Sequence, residues 1–317
     1  MMKTAVVTGA TSMLGIATIK HLIENEIRVI AISRANSRRL KDMPESDLIT
    51  FVGCELEELS GLDLGDAKAD VFFHFAWGFT NHSSKEKYDL DIQNKNVEYT
   101  LAAINLAKRM RCSRFLGAGS QAEYGYKEYV IDEDTECTPN MAYGQAKLNA
   151  YEMGRKLCKE YGLDYIWTRT FSVYGVNDGN TMVMYALNCY LNNEVAQFSS
   201  AVQMWNYLFE EDAGEYFYRL GFYDESKFPD SLKQDGRLDC IVNIGNIESK
   251  QLKLYFEEMK NVFGEDFKYE LASLKEGETF NGIHPDVSRL IEITGYYPKY
   301  SFEDGMRIIK DKALSLK

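Results

Sequence analysis

The chain has 317 residues, enough to bury a substantial core as one large domain or two coupled ones. Its formal net charge of −12 argues against a nucleic-acid backbone as partner, which needs clustered Lys and Arg. Six scattered cysteines without a C-x-x-C pair make a metal site unexpected and fit reduced intracellular thiols. With no apolar run of about 18 residues and no signal-peptide layout, the expectation is a cytoplasmic chain that does not enter a membrane.

Thr4 to Thr8 reads as a first buried strand, and Met13 to Glu24 as a helix with Leu14, Ala17, Ile19 and Leu22 among its apolar positions. Arg28 to Ser33 is a second strand. Ile49 to Val52, Val71 to Phe75, Phe115 to Gly119 and Tyr165 to Thr168 continue the series, with long helices near Tyr88 to Arg109 and Ala142 to Glu160. Apolar strands separated by helices predict an α/β fold with a parallel sheet covered on both faces, doubly wound in the Rossmann manner. In such sheets the ligand lies beyond the carboxyl ends of the strands, so the residues just after each strand matter most.

Beyond residue 175 the pattern is less regular. Met182 to Asn192, Glu211 to Leu220, Ser249 to Phe263 and Phe302 to Lys312 read as helices, and Cys240 to Ile244 as another buried strand. The expectation is a dinucleotide-binding lobe over 1–175 and a smaller, mainly helical substrate lobe over 176–317, interleaved because the sheet takes strands from it.

The first strand–helix junction reads Thr8-Gly9-Ala10-Thr11-Ser12-Met13-Leu14-Gly15. Gly9 permits a tight turn, Gly15 lets helix and strand pack closely, and the amides at the helix start can hold a pyrophosphate. Gly9, Thr11, Ser12, Met13, Leu14 and Gly15 are therefore the candidate cofactor loop. The second strand ends at Ser33-Arg34 with no following carboxylate to bond the ribose hydroxyls. Arg34, with Ser33 and Arg38 nearby, could bond a 2′-phosphate instead, so the expectation is NADP(H) in preference to NAD(H).

Tyr143 and Lys147 stand at i and i+4, on one face of a helix. An ammonium and an oxidised nicotinamide nearby would lower a phenol's pKa toward useful acid–base chemistry. Ser120 follows the Phe115 strand and could address the same substrate oxygen.

Together these segments resemble the extended short-chain dehydrogenases/reductases, the NAD-dependent epimerase/dehydratase group. The first loop resembles their T-G-x-x-G-x-x-G fingerprint, with Ser12 in the middle glycine's place. Ser120 to Gly125 resembles S-x-x-x-Y-G, and Pro139 to Lys147 resembles P-x-x-x-Y-G-x-x-K. Gly53-Cys54-Glu55-Leu56, His74-Phe75-Ala76-Trp77, Asn96 to Thr100, Arg169 to Gly175 and Trp205 to Ala213 resemble further segments in order, so the likeness spans nearly the whole chain.

The resemblance implies Ser120, Tyr143 and Lys147 as catalytic residues. It adds Glu55, Leu56, Phe75, Ala76, Trp77 and Asn96 as cofactor contacts and a nucleotide-activated sugar as substrate. Gln121, Tyr174, Asn177 and Trp205 are the candidate substrate contacts, and a homodimer through the helices of 97–108 and 146–159 is implied. Gln121 and Ala122 stand where a 4,6-dehydratase carries its Asp–Glu pair, which disfavours elimination. The segment from Gly119 to Gly125 also looks like that of enzymes making deoxyhexoses for bacterial surface polysaccharides, CDP-abequose synthase among them. With the missing acidic residue after the second strand, the sequence points first to reduction of the C4 ketone of an NDP-4-keto-6-deoxyhexose. An NDP-sugar 4-epimerase with tightly bound NAD is the alternative, and a non-enzymatic NADP(H) sensor the reading outside enzymology.

Overall fold

The computed structural model describes residues 2–79, 85–176, 178–179, 181–274 and 282–315. Its first half alternates strand and helix: β1 Thr4–Thr8, α1 Met13–Glu24, β2 Arg28–Ser33, β3 Ile49–Gly53, β4 Val71–His74, α2 Leu90–Arg109, β5 Arg114–Ser120, α3 Ala142–Tyr161 and β6 Asp164–Thr170. The second half continues with β7 Ser172–Tyr174, α4 Met182–Asn192, β8 Val195–Phe198, β9 Met204–Trp205, β10 Tyr207–Phe209 and α5 Glu210–Phe222. It closes with β11 Lys233–Gln234, β12 Arg237–Ile244, β13 Lys250–Gln251, α6 Leu252–Phe263, β14 Lys268–Leu271, α7 Ser288–Thr294 and α8 Phe302–Ser315.

Eight strands form one sheet in the order β11-β12-β6-β5-β4-β1-β2-β3. All neighbours pair in parallel except the β11–β12 edge. The chain order reverses between β1 and β4, and that switch opens the crevice at the carboxyl ends of the strands. β12 comes from the C-terminal part and pairs with β6 from Asp239↔Tyr165 to Ile244↔Thr170, so the two lobes share one sheet.

The sheet is apolar on both faces because both are covered. One face packs Val7, Val29, Phe73, Leu116, Ile166 and Val242 with α1, α5 and α7. The other packs Val6, Phe72, Phe115 and Trp167 with α2 and α3. Ala103 and Leu106 of α2 are 0% and 1% exposed, so they serve the sheet rather than a partner copy. Arg114 bridges sheet and helix layer: its guanidinium donates to the Leu220 and Gly221 carbonyls at 3.1 and 2.8 Å, satisfying the end of α5.

The C-terminal lobe has its own core around Tyr174, Phe209, Tyr255, Phe256 and Met306. It is less purely helical than the sequence pattern suggests. Two-stranded ladders join β7 to β10, β8 to β14 and β9 to β13. Their strands run two to four residues, too short for alternation to show.

Candidate active site

The crossover loop between β1 and α1 is a tight cradle. Gly9 has φ +68°, and the amide of Ser12 donates to the Gly9 carbonyl at 2.8 Å, closing the turn. A Cβ at Gly9 would lie 2.7 Å from the Ala76 main-chain nitrogen, so loop and β4 end touch backbone to backbone. At Gly15 a Cβ would strike the Gly9 carbonyl and lie 2.9 Å from the carbonyl carbon of Ala10. Ser12 is the N-cap of α1: its hydroxyl accepts from the Gly15 amide at 3.0 Å. Its side chain thus folds back onto the helix, leaving the amides of Met13 and Leu14 to open α1 toward the crest of the sheet. This cradle, which any side chain would fill, fits a pyrophosphate.

Gly9→Ala is expected to cost ~1–2 kcal/mol for the left-handed backbone and a further ~1–3 kcal/mol for overpacking against Ala76. A lowered melting temperature and loss of dinucleotide binding by calorimetry would report it.

The neighbouring strand ends complete the rim. Thr11 is joined to the loop after β2 by a hydrogen bond from Ser37 Oγ at 3.0 Å. Glu55 caps the short turn Leu56–Gly61, and the Leu56 side chain reaches toward Gly78. Phe75 is buried against Phe217, edge-on at 4.8 Å. Asn96, 1% exposed, accepts from the Gly78 amide at 2.6 Å and donates to its carbonyl at 3.3 Å. Asn96 therefore acts by pinning the segment after β4.

Ser120 ends β5, while Tyr143 and Lys147 lie on the first turns of α3, and these three converge. Ser120 stands within hydrogen-bonding reach of the Tyr143 hydroxyl. Burial raises that phenol to about 12, the Ser120 bond pulls it down, and Glu123 pushes it up. The Lys147 ammonium, 4% exposed, donates to the Ala118 carbonyl at 2.5 Å and sits 3.5 Å from the centre of the Trp77 ring. Burial drags Lys147 down to about 7, and Glu123 opposes that. Trp77 is held edge-on to Tyr143 at 6.1 Å, and its indole N–H donates to Gln93 at 3.0 Å. Lys87 adds a second ammonium 5.2 Å from the Tyr143 ring. His74 is pushed to about 3 by burial and by Lys147, so it is neutral, bridging Thr8 and Thr100.

Ser120 and Tyr143 open onto a cleft of about 520 Å³, while Lys147 is buried. Ser120, Gln121, Tyr143 and Trp205 all line it, joined by Lys87 and Asp178. Tyr174 does not: it is 1% exposed in the core of the C-terminal lobe, and its hydroxyl donates to the Phe302 carbonyl at 3.1 Å. Asn177 lies outside the described residues. Lys87, Gln93 and Glu123 were not singled out for the site from the sequence; Gln93 and Lys87 had no spacing signal, and Glu123 stands one place off the dehydratase register. Among the described residues no group of three His, Cys, Asp or Glu side chains could hold a metal ion, and no helix is long and apolar enough to cross a membrane.

A doubly wound sheet with its crossover cradle, and a serine–tyrosine–lysine cluster beside it, define a dinucleotide-dependent enzyme. Residues 5–249 match the NAD dependent epimerase/dehydratase family, and the chain belongs to that family. It is similar to an uncharacterized protein of Methanocaldococcus jannaschii, at 21% identity covering 96% of this chain and 94% of the relative. An uncharacterized UDP-glucose epimerase of Bacillus subtilis is 22% identical over 95% and 94% of the two chains. The fold matches UDP-glucuronic acid 4-epimerase from Bacillus cereus in complex with NAD, with a TM-score of 0.80, 18% identity and 99% coverage of both chains. It also matches UDP-N-acetylglucosamine 4-epimerase from Methanobrevibacter ruminantium, with a TM-score of 0.82, 19% identity and coverage of 100% and 99%.

The expectation of NADP(H) is corrected by these relatives, since the B. cereus enzyme holds NAD. The local structure gives the reason the arginines misled. Arg34 and Arg38 are exposed, Ser33 is buried with its hydroxyl donating at 3.4 Å to the Arg34 carbonyl, and Arg39 reaches across to the Asp178 carbonyl at 3.5 Å. A basic stretch after β2 is thus solvated or turned to the second lobe, and does not form a built phosphate pocket. The reductase reading leaned on that same stretch and loses its main support with it.

Proposed function

We propose that this chain interconverts C4 epimers of a nucleoside-diphosphate hexose with NAD as resident cofactor. The observation that carries the reading is that Ser120 and Tyr143 meet on the cleft wall, with the buried Lys147 ammonium 5.9 Å from the Tyr143 ring and with Gln121 and Ala122 beside them in place of an eliminating acid pair. The relatives of known structure, which include 4-epimerases acting on UDP-sugars, support it.

NAD, when bound, would accept the C4 hydride and return it to the opposite face. The Gly9–Gly15 loop would hold its pyrophosphate, and Lys147, with two ammonium protons beyond the one given to Ala118, would bond its ribose hydroxyls. Tyr143 Oη takes the proton of the C4 hydroxyl as phenolate and gives it back as phenol. Ser120 Oγ bonds the same substrate oxygen and fixes it against the phenol. The cations of Lys147 and Lys87 favour the phenolate against a burial that otherwise holds Tyr143 near 12. Gln121 and Trp205, on the cleft wall, contact the sugar. A cytoplasmic homodimer belongs to the same reading, with partly exposed Leu148 of α3 and the outer sides of Ala102 and Leu157, which also pack on the sheet, offered to the partner copy.

The purified protein, supplied with a panel of UDP-hexoses and no added dinucleotide, should form the C4 epimer of at least one, reaching the same ratio from either side. Conversion of a 4-ketosugar with stoichiometric oxidation of added reduced dinucleotide, and no epimerisation, would instead restore the reductase.

A further inference from the structure

One deeply buried acid in this region has no place in the mechanism above. Glu123 is 0% exposed and lies directly behind the serine. Its Oε1 accepts the Ser120 main-chain N–H at 2.8 Å and the Trp167 indole N–H at 3.0 Å. Its Oε2 accepts from Arg169 Nε at 2.9 Å, and Arg169 is itself only 3% exposed, stacked 4.4 Å over the Tyr124 ring. Tyr124 in turn donates to Asn243 of β12 at 2.7 Å. A buried ion pair is weak evidence for stability, because a well-packed apolar pair often does as well. Its placement therefore asks for another use.

That use is visible along β5, where Lys147 bonds the Ala118 carbonyl and Glu123 bonds the Ser120 amide two residues on. Lys147 is an ammonium buried between a carbonyl and an indole face, and Glu123 is the anion that acts on it. We propose that Glu123 is a positioning residue: held by Arg169 and Trp167, its carboxylate fixes the main chain of Ser120 and supplies the buried counter-charge for the Lys147 ammonium. The roles of Ser120 and Lys147 rest on the epimerase reading; the electrostatic link between Glu123 and Lys147 does not.

The other titratable groups around this cluster do not supply that charge. His74 from β4 is neutral, with a pKa of about 3. Burial holds Tyr143 and Tyr151 of α3, Tyr165 of β6, Tyr124 and Cys137 above their usual ranges, so they stay protonated near neutral pH. Lys87 and Arg169 are cations, and burial lowers Lys87. Burial drives Lys147 toward the neutral amine, and Glu123 drives it back.

The test is a pH titration of the Lys147 side chain by NMR in the full-length protein, alongside turnover of the UDP-hexose. Glu123→Gln cannot satisfy its surroundings, because its amide would face the Trp167 and Arg169 donors. It should lower the Lys147 midpoint by about one unit or more, the size expected for losing a close opposite charge. Glu123→Asp keeps the charge but draws it away from the Ser120 amide; the midpoint should stay near that of the parent while kcat falls about 10-fold or more with KM little changed. Should Glu123→Gln fail to fold with Arg169 stranded, the double variant Glu123→Gln/Arg169→Met removes the stranded charge and should show a midpoint lower than that of Arg169→Met, the comparison that cancels the lost cation. A midpoint unchanged from its comparison in whichever of these folds would overturn the counter-charge, and full turnover by Glu123→Asp would overturn the positioning of Ser120. If the parent protein epimerises no sugar while the midpoint still shifts, the epimerase reading fails and the counter-charge stands.

Discussion

Tyr143→Phe should lower turnover by about 10²- to 10⁴-fold, the range for removing a positioned general acid–base group. The substitution deletes one oxygen and leaves the ring where Trp77 meets it edge-on at 6.1 Å and Lys87 stands 5.2 Å from its centre. Packing is therefore retained, and the melting temperature and NAD binding should stay near those of the parent. What disappears is the phenol hydroxyl beside Ser120 to which the proposed mechanism gives the proton exchange with the C4 oxygen. Stopped-flow or single-turnover kinetics would separate a loss in chemistry from a loss in binding. A variant retaining a tenth or more of the parent rate would remove Tyr143 from the mechanism.

Lys147→Met should cost about 10²-fold in kcat near neutral pH and move the acid-side limb of the profile upward. The sign follows from the charges. In the proposed mechanism Tyr143 must be a phenolate to accept the C4 proton, and its surroundings, burial foremost, hold it near 12. Removing a nearby ammonium raises the phenol further, so the active form appears only at higher pH. A general loss from misfolding would lower the whole profile without moving its limb. The fold should survive, since the variant loses the bond to the Ala118 carbonyl but no longer has to bury a charge.

The sheet was legible because its inner strands are buried on both faces and read as apolar runs, while the exposed edge strand β3 still carries Ile49, Phe51 and Val52. The cradle was legible because Gly9 and Gly15 have backbone reasons that no other residue meets. Tyr143 and Lys147 were legible from helical spacing, with Ser120 added by the strand end before them. The failures share a cause in long-range partners. Tyr174 is a core residue because its hydroxyl meets a carbonyl 128 residues away, which nothing local announces. Glu123 is bound by Arg169, 46 residues on, so its register showed only that it was out of place. Arg34 and Arg38 carry the right charge for a phosphate, but charge along a sequence does not reveal whether a pocket is built around it. The short ladders of the C-terminal lobe are set by pairing across up to 73 residues, again beyond a local pattern.

Hydride bookkeeping at C4 tests the central claim most directly. A UDP-hexose carrying deuterium at C4 should be converted by the purified protein, without added dinucleotide, into its C4 epimer with the deuterium retained at that carbon, as read by NMR and mass spectrometry. Loss of the label to solvent, or oxygen from ¹⁸O-water incorporated at C4 in place of the substrate oxygen, would contradict a transient C4 ketone formed by hydride removal and return beside Tyr143, Ser120 and Lys147.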